Sequence, residues 1–168
     1  MKNRFLITCS RVAIVFLALV GLCICFWWYP FSISLGTVGL APGEPGGAAL
    51  DTAQAVVFCA QLVFAWLTSL PCFAALALLF KSTVYAGRDE FFTGRNAGVY
   101  RAIAVIIFID SMALIAGNTL FMLLKWSPFV LIYYVIGALG VIFSLASYLA
   151  YRYLESAAAI KEENDSII

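Results

Sequence analysis

The sequence predicts an all-α polytopic membrane protein with four transmembrane helices and both termini in the cytoplasm. Three observations carry that expectation. The 168 residues are 64% hydrophobic and only 11% charged, with a mean hydropathy of +1.02. A water-soluble domain carries roughly a quarter charged residues, so this chain could not cover a globule with polar surface. The apolar residues gather in four runs, each long enough to cross a bilayer. Finally, lysine and arginine fall almost wholly between alternate runs, which orients the runs.

The first span covers residues 12–29. Eighteen residues rise about 27 Å at about 1.5 Å each, close to the hydrocarbon thickness. Lys2 and Arg4 before an apolar run resemble the start of a signal peptide. No small-x-small cleavage site follows, and Phe26-Trp27-Trp28-Tyr29 suits an interfacial aromatic belt, so the helix reads as a retained signal anchor. Residues 30–52 form an external loop, because GLAPGEPGGAAL is broken by two prolines and four glycines.

The second span, residues 53–80, opens at Asp51-Thr52, either of which can cap a first turn. Pro71 within it predicts a kink, a matter of shape rather than chemistry. The third span covers 102–124. The turn Lys125-Trp126-Ser127-Pro128 is so short that the fourth span, 129–151, must return antiparallel to the third. The alanine-rich start of the tail, 152–168, favours continuation of that helix. The chain is thus a single membrane domain, expected as a four-helix bundle.

Lys2, Arg4, Arg11, Lys81, Arg88, Arg95, Arg101, Arg152 and Lys161 lie on one side of this scheme, and Lys125 alone lies on the other. The positive-inside rule makes the richer side cytoplasmic, including both termini and the 81–101 loop. With a net charge of +1, nothing points to direct contact with nucleic acid.

Function classes narrow further. There is no histidine, which removes the commonest general base and metal ligand. Cys9, Cys23, Cys25, Cys59 and Cys72 lack metal or redox spacing and read as buried small hydrophobes. No nucleophile–base pair, phosphate loop or metal cluster is visible, so no enzyme, cofactor or metal is expected. Asp110 is the one ionisable residue deep in a span. A carboxylate there costs about 2.5–3.5 kcal/mol on insertion scales, which should turn it toward other helices. Asn118 and Gln61, with Ser144 or Ser147, are the polar partners considered for it. Asp110 could hold a proton, a cation or a cationic ligand, or serve as hydrogen-bonding glue between helices. Gly117 with Ala113, and Gly137 with Gly140 and Ser144, mark faces where spans three and four approach closely.

The cytoplasmic loop carries more than topology needs. Within GRDEFFTGRNAGVYR, Thr93 can cap a helix leading into span three, and Phe91 and Phe92 can anchor at the interface. Arg88, Arg95 and Asn96 complete its polar set. The tail ends IKEENDSII, placing Glu162, Glu163, Asn164 and Asp165 beside exposed isoleucines. It can be a docking patch or only a solvated acidic end.

The loop pattern Gly87-x-x-x-Phe91-Phe92-Thr93-x-x-Asn96-Ala97 and the tail Glu163-Asn164-Asp165 resemble a bacterial family of four-helix inner-membrane proteins, domain of unknown function 2975. The resemblance covers roughly 51–168. Ser166 and Ile167 stand where Leu-Thr is usual in the family. It implies a multi-pass protein of the bacterial cytoplasmic membrane with no assigned activity, often encoded beside Cro/C1-type helix-turn-helix regulators. The expected function is therefore a non-enzymatic membrane partner of a cytosolic DNA-binding regulator. It would act through Arg88, Phe91, Phe92, Thr93, Arg95 and Asn96 and through the acidic tail. The alternatives are a small transporter or ligand-binding protein centred on Asp110, and an accessory subunit of a larger membrane complex. Besides the bilayer and such a regulator, a second copy of the chain is a possible partner.

Overall fold

The computed structural model describes residues 2–23, 52–88, 90–124 and 130–167. Those residues form four helices and no strand: α1 (Lys2–Cys23), α2 (Thr52–Gly87), α3 (Gly94–Leu123) and α4 (Val130–Ile167). All four are long and apolar enough to cross a membrane, with mean hydropathies from 1.7 to 2.3 over their most apolar stretches. The aromatic belt at 26–29, the 30–50 loop, Asp51 and the 125–129 turn lie outside the described residues.

The helices run longer than their apolar cores. α1 begins at Lys2, well before the predicted span. α2 stays helical through Pro71 and on to Gly87. α3 starts eight residues ahead of the span, at the point where Thr93 provides a cap. α4 is 38 residues long, about 57 Å at about 1.5 Å per residue, and so carries the tail as one continuous helix.

Packing follows chain order. α1 lies on α2, α2 on α3, and α3 on α4, the last pair by far the most extensive. Among the described residues α1 does not meet α3 or α4, and α2 does not meet α4. Among the described residues the four helices therefore form an open row rather than a closed ring, with α2 and α3 as its inner members.

The antiparallel α3–α4 hairpin is built on small residues. Ser144 donates its hydroxyl to the carbonyl of Ala104 at 2.7 Å. Gly140 sits on Ser111, and a Cβ on Gly137 would come within 2.6 Å of Ile115. Thr119 and Tyr134 join their hydroxyls at 2.7 Å. Gly117, expected to face α4, instead receives the Phe64 ring of α2, and Ala113 is exposed. The glycine is still a close-approach position, but α3 uses it on its other side. Between α2 and α3 the core consists of Ala75, Val99, Ile103 and Ile107, with Leu78, Leu79 and Tyr85 packed against them. Ser82 adds a hydrogen bond to the Tyr100 hydroxyl at 3.3 Å.

α1 is held more lightly. Gly21 lies under the Phe73 ring at one end. At the other, Arg11 donates to the Thr83 hydroxyl at 3.2 Å and to the Thr83 carbonyl at 3.0 Å. A cation there also complements the negative end of the α2 dipole. Cys9, Cys23, Cys59 and Cys72 are exposed rather than buried. Lipid solvates a thiol as readily as a protein core does, so burial is not required of them. Cys25 lies outside the described residues.

Candidate functional site

The end of the molecule where α2 turns into α3 collects the loop residues singled out above. α2 closes when the N–H groups of Arg88 and Glu90 both donate to the Tyr85 carbonyl at 3.0 Å. Nearly two turns before its end stands Lys81, whose ammonium lies 5.9 Å from the centre of the Tyr85 ring. Thr93 then starts α3. Its backbone is extended (φ −132, ψ 152) and its hydroxyl accepts the Asn96 N–H, satisfying one of the donors a helix start leaves open. The same hydroxyl donates to the Glu90 carbonyl at 2.8 Å, tying cap to turn.

Asn96 locks this turn from beneath. It is fully buried, and its side-chain amide donates to the Phe91 carbonyl at 2.9 Å. Its Oδ1 is the one buried side-chain atom found without a hydrogen-bond partner among the described residues. With that carbonyl held, the Phe91 and Phe92 rings stack edge to face, centres 5.2 Å apart. Phe91 is half-buried and Phe92 exposed, while Arg88, Arg95 and Arg101 are exposed around them.

The α4 extension comes to the same place. The register set by Ser144 on Ala104 carries Leu154 and Ala158 to the level of the α3 start and the turn before it. Both are buried. They continue a run of inward positions at Gly137, Gly140, Ser144, Ser147 and Tyr151, spaced alternately by three and four residues. That spacing was present in the sequence and could have revealed the contact. Tyr151 donates to Glu155 at 2.7 Å, and Arg152 pairs with the same carboxylate at 3.0 Å. Beyond them Glu162, Glu163 and Asn164 are exposed on the helix. The Asp165 side chain lies outside the described residues.

The polar residues within the spans do not form one cluster. The Cys72 thiol donates to Asp110 at 3.7 Å, on the seam between α2 and α3. Ser144 and Ser147, considered as partners for Asp110, are engaged elsewhere: Ser144 on Ala104 and Ser147 on the Phe143 carbonyl of its own helix at 2.9 Å. Asn118 is buried but lies eight residues, about 12 Å, along α3 from Asp110. Gln61 is half-buried, and the register of Phe64 on Gly117 puts it at the level of Asn118 rather than Asp110. Cys72 was missed because an apolar context made it read as filler. Arg11 was missed as a packing residue because it read only as a topological charge.

Helices of this length and apolarity, with a capped polar turn at one end, define a multi-pass α-helical membrane protein. The chain belongs to the family described as protein of unknown function (DUF2975), whose pattern matches residues 10–168. The match reaches into α1, further upstream than the stretch on which the resemblance rests. No curated protein and no solved structure matches the chain.

Proposed function

We propose that this protein is a non-enzymatic regulatory partner, resident in the bacterial cytoplasmic membrane, that docks a cytosolic helix-turn-helix transcription factor. The single observation that supports this most is the α4 extension. It runs as a helix to Ile167, is steadied by the buried Leu154 and Ala158, and holds Glu162 and Glu163 exposed at its tip. An acidic tip on a fixed arm is complementary to the basic face of a DNA-binding domain. Occupying that face competes with the phosphate contacts that dominate DNA affinity. The register of Ser144 on Ala104 brings the base of the arm to the level of the turn that leads into α3. On this reading the richly basic end faces the cytoplasm.

The test is affinity purification of the tagged protein, gently solubilised from its native host, alongside a version truncated after Ile160. The expected outcome is a helix-turn-helix protein recovered with the intact chain and lost with the truncation. Recovery of the same regulator with both forms would remove the tail from the reading.

The alternative, a small transporter or ion-binding protein, draws its support from Asp110 alone. It predicts that cations shift the melting temperature of the purified protein and that Asp110→Asn abolishes the shift.

A further inference from the structure

We infer that the groove between α3 and α4 holds the phosphodiester of an anionic phospholipid between Arg101 and Arg152. The two arginines mark the same boundary from neighbouring antiparallel helices. Arg101 is the last residue before the apolar run of α3, and Arg152 is the first after that of α4. Lipid headgroups lie at such a boundary. The register of Ser144 on Ala104 sets Arg101 opposite Ser147, one turn deeper than Tyr151. Side chains lean toward the start of their own helix, and α3 starts at this end of the molecule. The Arg101 guanidinium accordingly comes within electrostatic reach of the Tyr151 hydroxyl, as does that of Arg152. The rings of Tyr148 and Tyr151, centres 5.7 Å apart, stand at the same level, where tyrosine suits the interface.

The charges select the ligand. Both oxygens of Glu155 are taken, Oε1 by the Tyr151 hydroxyl at 2.7 Å and Oε2 by Nη1 of Arg152 at 3.0 Å. This is the one ion pair among the described residues, and among them no acid pairs with Arg101. Arg101, Arg152 and Glu155 together carry one net positive charge, which the single negative charge of a phosphodiester neutralises. The ammonium of a zwitterionic headgroup finds no open carboxylate oxygen and meets the excess positive charge, so an anionic lipid is favoured. Guanidinium donors on two sides suit phosphate oxygens. Toward the membrane centre the same faces turn apolar. Val105, Phe108 and Met112 follow Arg101 at four, seven and eleven residues, and Tyr148 and Leu145 precede Arg152 at four and seven. All five are exposed and give the acyl chain a path directly beneath the phosphate. The site is independent of the regulatory reading, because it lies before the acidic tip.

The test places the full chain in phosphatidylcholine vesicles with a trace of spin-labelled phosphatidylglycerol, phosphatidylethanolamine or phosphatidylcholine. The readout is the fraction of each lipid whose motion the protein restricts. Phosphatidylglycerol is expected to be clearly preferred over the other two. Arg101→Gln should lower that preference about fivefold, the scale of one basic residue at an anionic lipid. Arg95→Gln removes the same charge from another face of α3 and should leave the preference unchanged. Truncation after Ile160 should also leave it unchanged, which separates this outcome from loss of regulator binding. Excess inorganic phosphate should not displace the lipid, because the ion lacks acyl chains; displacement would assign the site to free phosphate. Arg101 is exposed, so the helical content of Arg101→Gln serves as the folding control. If that variant does not fold, a phosphatidylglycerol with a photoreactive headgroup decides on the unaltered chain. Its adducts are expected around Arg101 and at Tyr148–Arg152. Equal restriction of the three lipids, equal loss of preference in Arg95→Gln, or adducts shared evenly with α1 and α2 would overturn the site.

Discussion

Gly140 has no side chain because Ser111 stands where one would be. The Ser111 hydroxyl cannot simply move aside, since it donates to the Ile107 carbonyl at 2.7 Å. Gly137 is under the same constraint from Ile115, and Gly117 from the Phe64 ring, whereas Gly94 and Gly98 face open space. The prediction is a contrast. Gly137→Ala should lower stability by about 1–3 kcal/mol, the usual cost of overpacking, and Gly98→Ala should leave it unchanged or slightly raise it. Thermal unfolding of the two purified variants in one detergent checks it. Asp110 belongs to the same scale. With the Cys72 thiol as its neighbour at 3.7 Å, Asp110→Asn retains a polar group on the α2–α3 seam. It should preserve both folding and biological output if the residue is glue, and loss of output with intact folding would return the transporter reading. At this scale the sequence showed which residues were unusual, not what they touch. Glycine, serine and aspartate stand out in an apolar run, yet the choice between Gln61, Ser144 and Cys72 depends on helix register. The seam-forming residues on α2 are too uniformly apolar to reveal that register.

Among the elements, the start of α3 was the most readable. Thr93 ahead of the helical run is an N-cap candidate with a local cause, and local causes survive tertiary context. Thr93→Val should therefore remove about 0.5–2 kcal/mol and release the turn. Amide hydrogen exchange at Gly94–Asn96 should accelerate in the variant, while exchange in the middle of α3 stays slow. The α4 extension was also legible, from the alanines at 157–159 and the spacing that ends in Leu154 and Ala158. The attachment of α1 was not. Arg11 serves at once as a topological charge and as the donor to Thr83, and a sequence displays only the first role. The expectation of buried cysteines failed for a related reason: in a bilayer, inside and outside are both apolar, so hydrophobicity ceases to report burial.

That ambiguity is greatest for the whole molecule. Four helices could be counted from apolar runs alone, but whether they close into a ring could not, because a lipid-facing stripe and a helix-facing stripe look alike. The orientation rests on nine basic residues against one, and it makes a definite prediction. A reporter active only outside the cytoplasm should work when fused after Glu44 and fail when fused after Gly94; the reverse pattern would invert the topology. The open arrangement also bears on how the protein is made. Every interface among the described residues joins a helix to its immediate successor in the chain, so no helix waits for a distant partner. Each contact can form as soon as the next segment leaves the ribosome and enters the bilayer. The largest interface, between α3 and α4, is completed last. A chain interrupted before α4 would be left with the two smaller interfaces, an easy substrate for quality-control proteolysis.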